Sequence, residues 1–85
     1  MSKVIISVYD VKADVYSPPF FVHTKGEAIR SFADEVQNEN SAIGRHPEDY
    51  HLFCLGDFIE TTGEIRVLEV KERIALASDF VKIKE

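Results

Sequence analysis

The chain has no tryptophan, one methionine and one cysteine among its 85 residues. Cys54, being alone, cannot close an internal disulfide, so a disulfide-stapled scaffold is excluded and a reducing compartment is expected. Positive charge is also short. Ten Lys and Arg stand against fifteen Asp and Glu, for a net charge of −5. Proteins that hold duplex DNA by general attraction usually carry a basic excess, because the duplex is a dense line of phosphate charge. Residues 1–65 hold five basic and eleven acidic side chains, whereas 66–85 hold five basic (Arg66, Lys71, Arg73, Lys82, Lys84) and four acidic. Any nucleic-acid surface must therefore be local, and the C-terminal segment is its best candidate. Long apolar runs are missing too. No stretch approaches the roughly 20 apolar residues that span a bilayer, and "MSKVIISVYD" reaches Asp10 without the apolar core of a signal peptide. Neither repeats nor low-complexity tracts occur. There is no phosphate loop, no GxGxxG and no GxSxG.

What is present reads as one small folded domain spanning residues 1–85, with 45% hydrophobic residues. A domain of this size buries a limited core, and dimerisation would add to it. "VIISVYDV" is rich in β-branched and aromatic residues and predicts a strand. Val4, Ile6 and Val8 fall on one face and Ile5, Ser7 and Tyr9 on the other. Both faces are largely apolar, which places the strand centrally. "KADVYSPP" reads as a connection, since Pro18 and Pro19 cannot donate to a ladder. "FFVH" reads as a short second strand.

"TKGEAIRSFADEVQNEN" predicts a helix. Thr24 and Glu27 have capping-box spacing, and Ala28, Ile29, Phe32, Ala33 and Val36 form an apolar stripe. Pro47 marks a turn. "YHLFCLGDF" then alternates as a strand, with Tyr50, Leu52 and Cys54 on one face and His51, Phe53 and Leu55 on the other. Gly56 reads as a bulge. "IETTGEIRVLEV" reads as strand, turn at Thr62–Gly63, strand. "KERIALA" is ambiguous, and "SDFVKIKE" is a tail that adds a short strand or docks on a neighbour. The expected fold is α+β: an antiparallel sheet of about four strands, ordered β-β-α-β-β, with one amphipathic helix on a face and a short C-terminal extension.

The stretch "GRHPEDYHLFCLGDF" concentrates groups able to do chemistry. His46, Asp49, His51 and Cys54 are all possible metal ligands, but zinc spacings call for a second ligand pair elsewhere. His51 and Cys54 differ by three in a strand and so point to opposite faces. Cys54 sits among Leu52, Phe53 and Leu55, where a free cysteine is a core residue without the electropositive surroundings of a reactive thiolate. The stretch is read as a turn leading into a core strand. No catalytic residue, metal or cofactor is expected, and the protein is expected not to be an enzyme.

A resemblance adds to this reading. The run SVYD-x-KA (Ser7 to Ala13), the PFF element (Pro19 to Phe21), the R-x-F-x-D spacing (Arg30, Phe32, Asp34) and HPEDY-x-LF-x-LG-x-F (His46 to Phe58) resemble the small non-structural protein of gokushoviruses, the microvirus group of single-stranded-DNA bacteriophages. The resemblance covers about residues 4–64. It implies a protein of the host bacterial cytoplasm that acts in viral DNA replication or packaging, in the switch from duplex replication to single-stranded progeny DNA, with binding of single-stranded DNA expected. It carries over no catalytic residue.

Contacts to DNA or to a partner are expected among Lys12, Lys25, Arg66, Lys71, Arg73, Lys82 and Lys84, with Tyr16, Phe20 and Phe21 as stacking groups. The expected partners are single-stranded DNA, the viral replication initiator or procapsid proteins, and a second copy in a homodimer; no membrane is expected. The alternative, favoured by the net negative charge, is a protein–protein regulator that binds a viral or host replication or capsid protein without touching DNA.

Overall fold

Residues with two apolar faces need cover on both sides, and the computed structural model, which describes residues 1–81, puts the first such segment at the centre. Strand β1 (Ser2–Asp10) pairs antiparallel along one edge with β4 (Tyr50–Ile59), which in turn pairs with β5 (Glu64–Leu76). Along its other edge β1 pairs with two short strands in tandem, β2 (Val15–Tyr16) and β3 (Phe20–Val22). Helix α1 (Lys25–Val36) lies on one face, followed by a single turn, α2 (Ala42–Arg45). A 3-10 turn at Pro47–Asp49 leads into β4, and another at Ala77–Phe80 follows β5.

The two prolines account for the break between β2 and β3. With no amide hydrogens there, the ladder is completed by Ser17. Its amide donates to the Val8 carbonyl at 2.8 Å, and its hydroxyl oxygen accepts from the Val8 amide at 3.0 Å. The fully buried Ser7 donates its hydroxyl to the Ser17 carbonyl at 2.8 Å. Every buried polar group at this junction therefore has a partner, as a low-dielectric interior requires.

Strand β2 falls inside the segment expected to be a connection. Asp10 explains it: its carboxylate accepts from the amides of Lys12 and Ala13, and Asp14 takes the left-handed conformation (φ 56°), which turns the chain back within four residues.

Helix α1 starts as its spacing predicts. Thr24 accepts from the Glu27 amide at 3.1 Å, and the Glu27 carboxylate reaches back to the His23 amide at 3.3 Å. Ala28, Phe32 and Val36 are buried against Ile6, Val22, Leu52, Cys54 and Ala75 of the sheet. The C-terminal 3-10 turn closes the end of this core. Phe80 meets Phe32 edge-to-face at 6.4 Å, and the Gln37 side-chain amide donates to the Phe80 carbonyl.

Three irregularities shape the sheet, the mildest being Ile74, an extra residue between Arg73, which pairs with Phe53, and Ala75, which pairs with Leu52. Ile5 pairs with Gly56 and Ile6 with Cys54, so Leu55 is an extra residue in β4. On the other edge Cys54 pairs with Glu72 and Gly56 with Val67, so Leu68–Lys71 lie opposite Leu55 alone. A Cβ at position 56 would come within 2.0 Å of the Arg66 carbonyl oxygen, so only glycine permits this approach. Past this point the β4–β5 hairpin continues to a tip at Glu60–Gly63, closed by the Gly63 amide donating to the Ile59 carbonyl at 2.8 Å. No residue from 57 to 70 belongs to the buried core. The hairpin forms an arm, and the radius of gyration of 13.6 Å exceeds the roughly 12 Å of a compact chain of this length. The segment KERIAL, ambiguous by sequence, completes β5.

Candidate nucleic-acid interface

Side chains alternate across a strand, so the face of the sheet away from α1 is determined by residues two apart. On β1 these are Ile5, Ser7 and Tyr9; on β4, His51, Phe53 and Leu55. Antiparallel pairing aligns Tyr16 with Tyr9, Tyr9 with His51, Ser7 with Phe53, and Phe53 with Arg73. An aromatic platform results. The Tyr9 and Tyr16 rings are 4.6 Å apart, Tyr16 and Phe53 5.5 Å, Tyr9 and Phe53 6.1 Å, and His51 and Phe53 6.5 Å. Lys71, carried by the loop of extra residues in β5, holds its ammonium 5.6 Å from the centre of the Tyr16 ring. This is within the range of a cation–π contact. Arg73 borders the platform beside Phe53.

The platform's polar groups are held neutral. The Tyr9 hydroxyl donates to the Asp14 carboxylate, and that bond, with burial and the nearby carboxylate charge, raises the phenol pKa above its ordinary value. Burial lowers the His51 pKa, and the Arg73 charge lowers it further. A neutral imidazole and a neutral phenol present flat π surfaces, while Lys71 and Arg73 supply the positive charge. The arrangement can stack planar rings and pair with an anion beside them.

Of the residues singled out by sequence, the structure brings Tyr16, Lys71 and Arg73 together here. Phe21 lies on the same face but further along, packed at 5.6 Å against Phe58 beside a shallow apolar cleft of about 280 Å³. Phe20 faces the other way, lining a cleft with Val8, Ala28 and Phe32. Lys25 stands on the helix side, paired with Glu72 at 2.5 Å. Arg66 is on the arm, within 3.5 Å of Glu64 and across from Asp57. Lys12 is in the β1–β2 turn. Lys82 and Lys84 lie outside the described residues. Tyr9, His51 and Phe53 were not among the expected contacts. Alternation placed each on a face, but only the β1–β4 pairing makes them neighbours.

The polar turn before β4 gathers His46, Glu48 and Asp49, whose potential ligand atoms lie within 4.8 Å of one another. His46 and Glu48 are exposed, as solvated turn residues are. His51 and Cys54 are on opposite faces, and Cys54 is buried beneath α1.

A family model described as Phage ORF5 protein matches residues 3–80. The chain belongs to this family. It is therefore a phage protein, and the platform belongs to a phage accessory protein. No curated protein and no solved structure gives a significant match. Among the described residues no helix is long and apolar enough to cross a membrane.

Proposed function

We propose that this phage protein is a non-enzymatic accessory factor of viral DNA replication or packaging, and that it holds single-stranded DNA on the outer face of its sheet. The observation that carries the reading is the platform itself: Tyr9, Tyr16 and Phe53 within 6.1 Å of one another, bordered by Lys71 and Arg73 and left uncovered by the helix. Every base has a π face, so aromatic platforms bind single strands with little regard to sequence. Bases in a duplex are stacked on each other and cannot lie on such a platform. Lys71 rests on the ring face that a base would take, and its flexible stem lets it swing to a phosphate as the base arrives. The net charge of −5 fits this mode better than duplex binding, because stacking supplies affinity that a basic surface would otherwise supply. The resemblance to the gokushovirus non-structural protein agrees with a role in the turn toward single-stranded progeny DNA within the host cytoplasm.

The test is a fluorescence-anisotropy titration of labelled single-stranded and duplex DNA at low and moderate salt. Binding that prefers single strands and weakens with salt supports the reading. Absence of binding at low salt removes it. The net negative charge favours a second reading, in which the acidic protein occupies a basic surface of the viral replication initiator or a capsid protein. Affinity for such a purified partner in the absence of DNA, together with silence in the anisotropy assay, would decide for it.

A further inference from the structure

We propose that the apolar cleft at the base of the β4–β5 arm is a second nucleobase site, and that one DNA single strand runs from the aromatic platform over Lys71 into this cleft and on to Lys3. The inference rests on the platform's holding single strands. Strand alternation puts the cleft on the platform's own face. Ile5 and Phe21 are paired neighbours on β1 and β3, Leu55 is the extra residue of β4, and the Phe58 ring meets that of Phe21 edge-to-face at 5.6 Å. Ile65, across from Phe58, and Val67, across from Gly56, form the wall on the arm. Much of this surface is bare: Phe21 is 48% exposed, Ile65 57% and Val67 76%. A contiguous apolar patch on a small protein marks a binding surface. An apolar cavity of about 150 Å³ holds a benzene ring, so the cleft's volume of about 280 Å³ has room for the two fused rings of a purine.

Charge and distance select a nucleic-acid strand as the occupant. The same alternation divides the charges of the sheet by face. Asp57, Glu64 and Arg66 fall on the helix side, with Glu64 paired to Arg66, and Glu72 is drawn to that side by Lys25. Lys3, Lys71 and Arg73 fall on the outer face. Cations therefore follow the rings and the cleft along one face, which suits a polyanion carrying flat apolar bases. Lys71 touches both sites. Its ammonium lies 5.6 Å from the centre of the Tyr16 ring, and its side chain lines the cleft. It can meet the phosphate between a base on the platform and a base in the cleft. Lys3 pairs with Phe58 at the cleft's far end, two residues or about 7 Å beyond Ile5, within reach of a following phosphate. From Tyr9 to Ile5 is about 13 Å along β1, no more than about four nucleotides at the 3.4 Å of a stacked strand. A short run of DNA thus reaches both sites.

Anisotropy of a labelled oligothymidylate of about twelve nucleotides, long enough to span both sites, tests this on the full chain. Tyr16→Ala and Phe21→Ala are each expected to weaken binding roughly 5- to 150-fold. Lys3→Met is expected to lower the slope of log affinity against log salt by about 0.7. Methionine keeps the apolar stem of Lys3, so this variant reads the path even where Phe21→Ala disturbs the sheet; circular dichroism of each variant monitors the fold. If wild type binds no DNA at low salt, the platform reading falls and the second site with it. If wild type binds and Tyr16→Ala weakens it, while Phe21→Ala keeps wild-type affinity or Lys3→Met keeps the wild-type slope, the platform stands and the second site is overturned. Binding of a purified viral initiator or capsid protein that Phe21→Ala abolishes, with DNA binding intact, would then assign the cleft to that partner.

Discussion

Replacing Lys71 and Arg73 together by Met removes both cations from the platform and leaves its rings in place. On single strands each neutralised phosphate adds about 0.7 to the slope of log affinity against log salt. If both side chains meet phosphate, the double variant's slope is shallower by about 1.4. Between 50 and 200 mM salt, a fourfold change, wild type then loses affinity about 7-fold more steeply than the variant. Tyr16→Ala perturbs the other component. A base–aromatic stack is worth about 1–3 kcal/mol, or roughly 5- to 150-fold in affinity, and is indifferent to salt. The two changes therefore separate: one alters the slope, the other shifts the line. Anisotropy of a labelled oligonucleotide at four or five salt concentrations reads both. Lys25→Met serves as the control, because Lys25 stands on the helix side in a pair with Glu72 and its loss is expected to leave the slope alone. Equal slopes for wild type and the Lys71/Arg73 variant, or a shift on Lys25→Met as large as theirs, would refute the assignment of the platform.

Three further outcomes follow from the fold. Gly56→Ala forces a methyl to within 2.0 Å of the Arg66 carbonyl oxygen and is expected to cost about 2–4 kcal/mol; a melting temperature equal to wild type would disprove the close approach of β4 and β5. Ser17→Ala leaves the Val8 amide without its acceptor and is expected to cost about 1–3 kcal/mol by urea titration, with Ser17→Thr recovering most of it; equal losses in both would point to packing instead. The His51 pKa is lowered in the folded state by burial and by Arg73, so as pH falls the unfolded chain takes up the proton first. Stability is therefore full above the ordinary histidine value of about 6.5 and declines as pH falls from there toward the lower folded pKa. His51→Gln is expected to flatten the stability–pH curve in that window, and parallel curves for the two proteins would exclude the effect.

Local patterns announced what local physics determines. The capping-box pair Thr24 and Glu27 marked the start of α1, alternation assigned the faces of β1 and β4, and Gly56 stood out as a break in a strand. Strand β2 escaped because two residues carry no period, and its existence depends on the Asp10 side chain turning the chain. The continuity of β5 escaped because the extra residues Leu68–Lys71 and Ile74 interrupt its alternation.

The platform was harder still, for a reason that is general. Tyr9 and Phe53 are brought together by a pairing across more than forty residues, and nothing in either segment names the other. The cations illustrate the same point from the opposite side. Lys25, Arg66, Lys71 and Arg73 are equivalent in composition, yet Lys25 and Arg66 are engaged by Glu72 and Glu64, while Lys71 and Arg73 border the half-buried rings of the platform. Net charge sums all of these without regard to face. On the platform the nearest carboxylate, Asp14, accepts the Tyr9 hydroxyl. A chain that is acidic as a whole thus keeps two cations beside clustered aromatics, and local charge on one face decides what that face can bind.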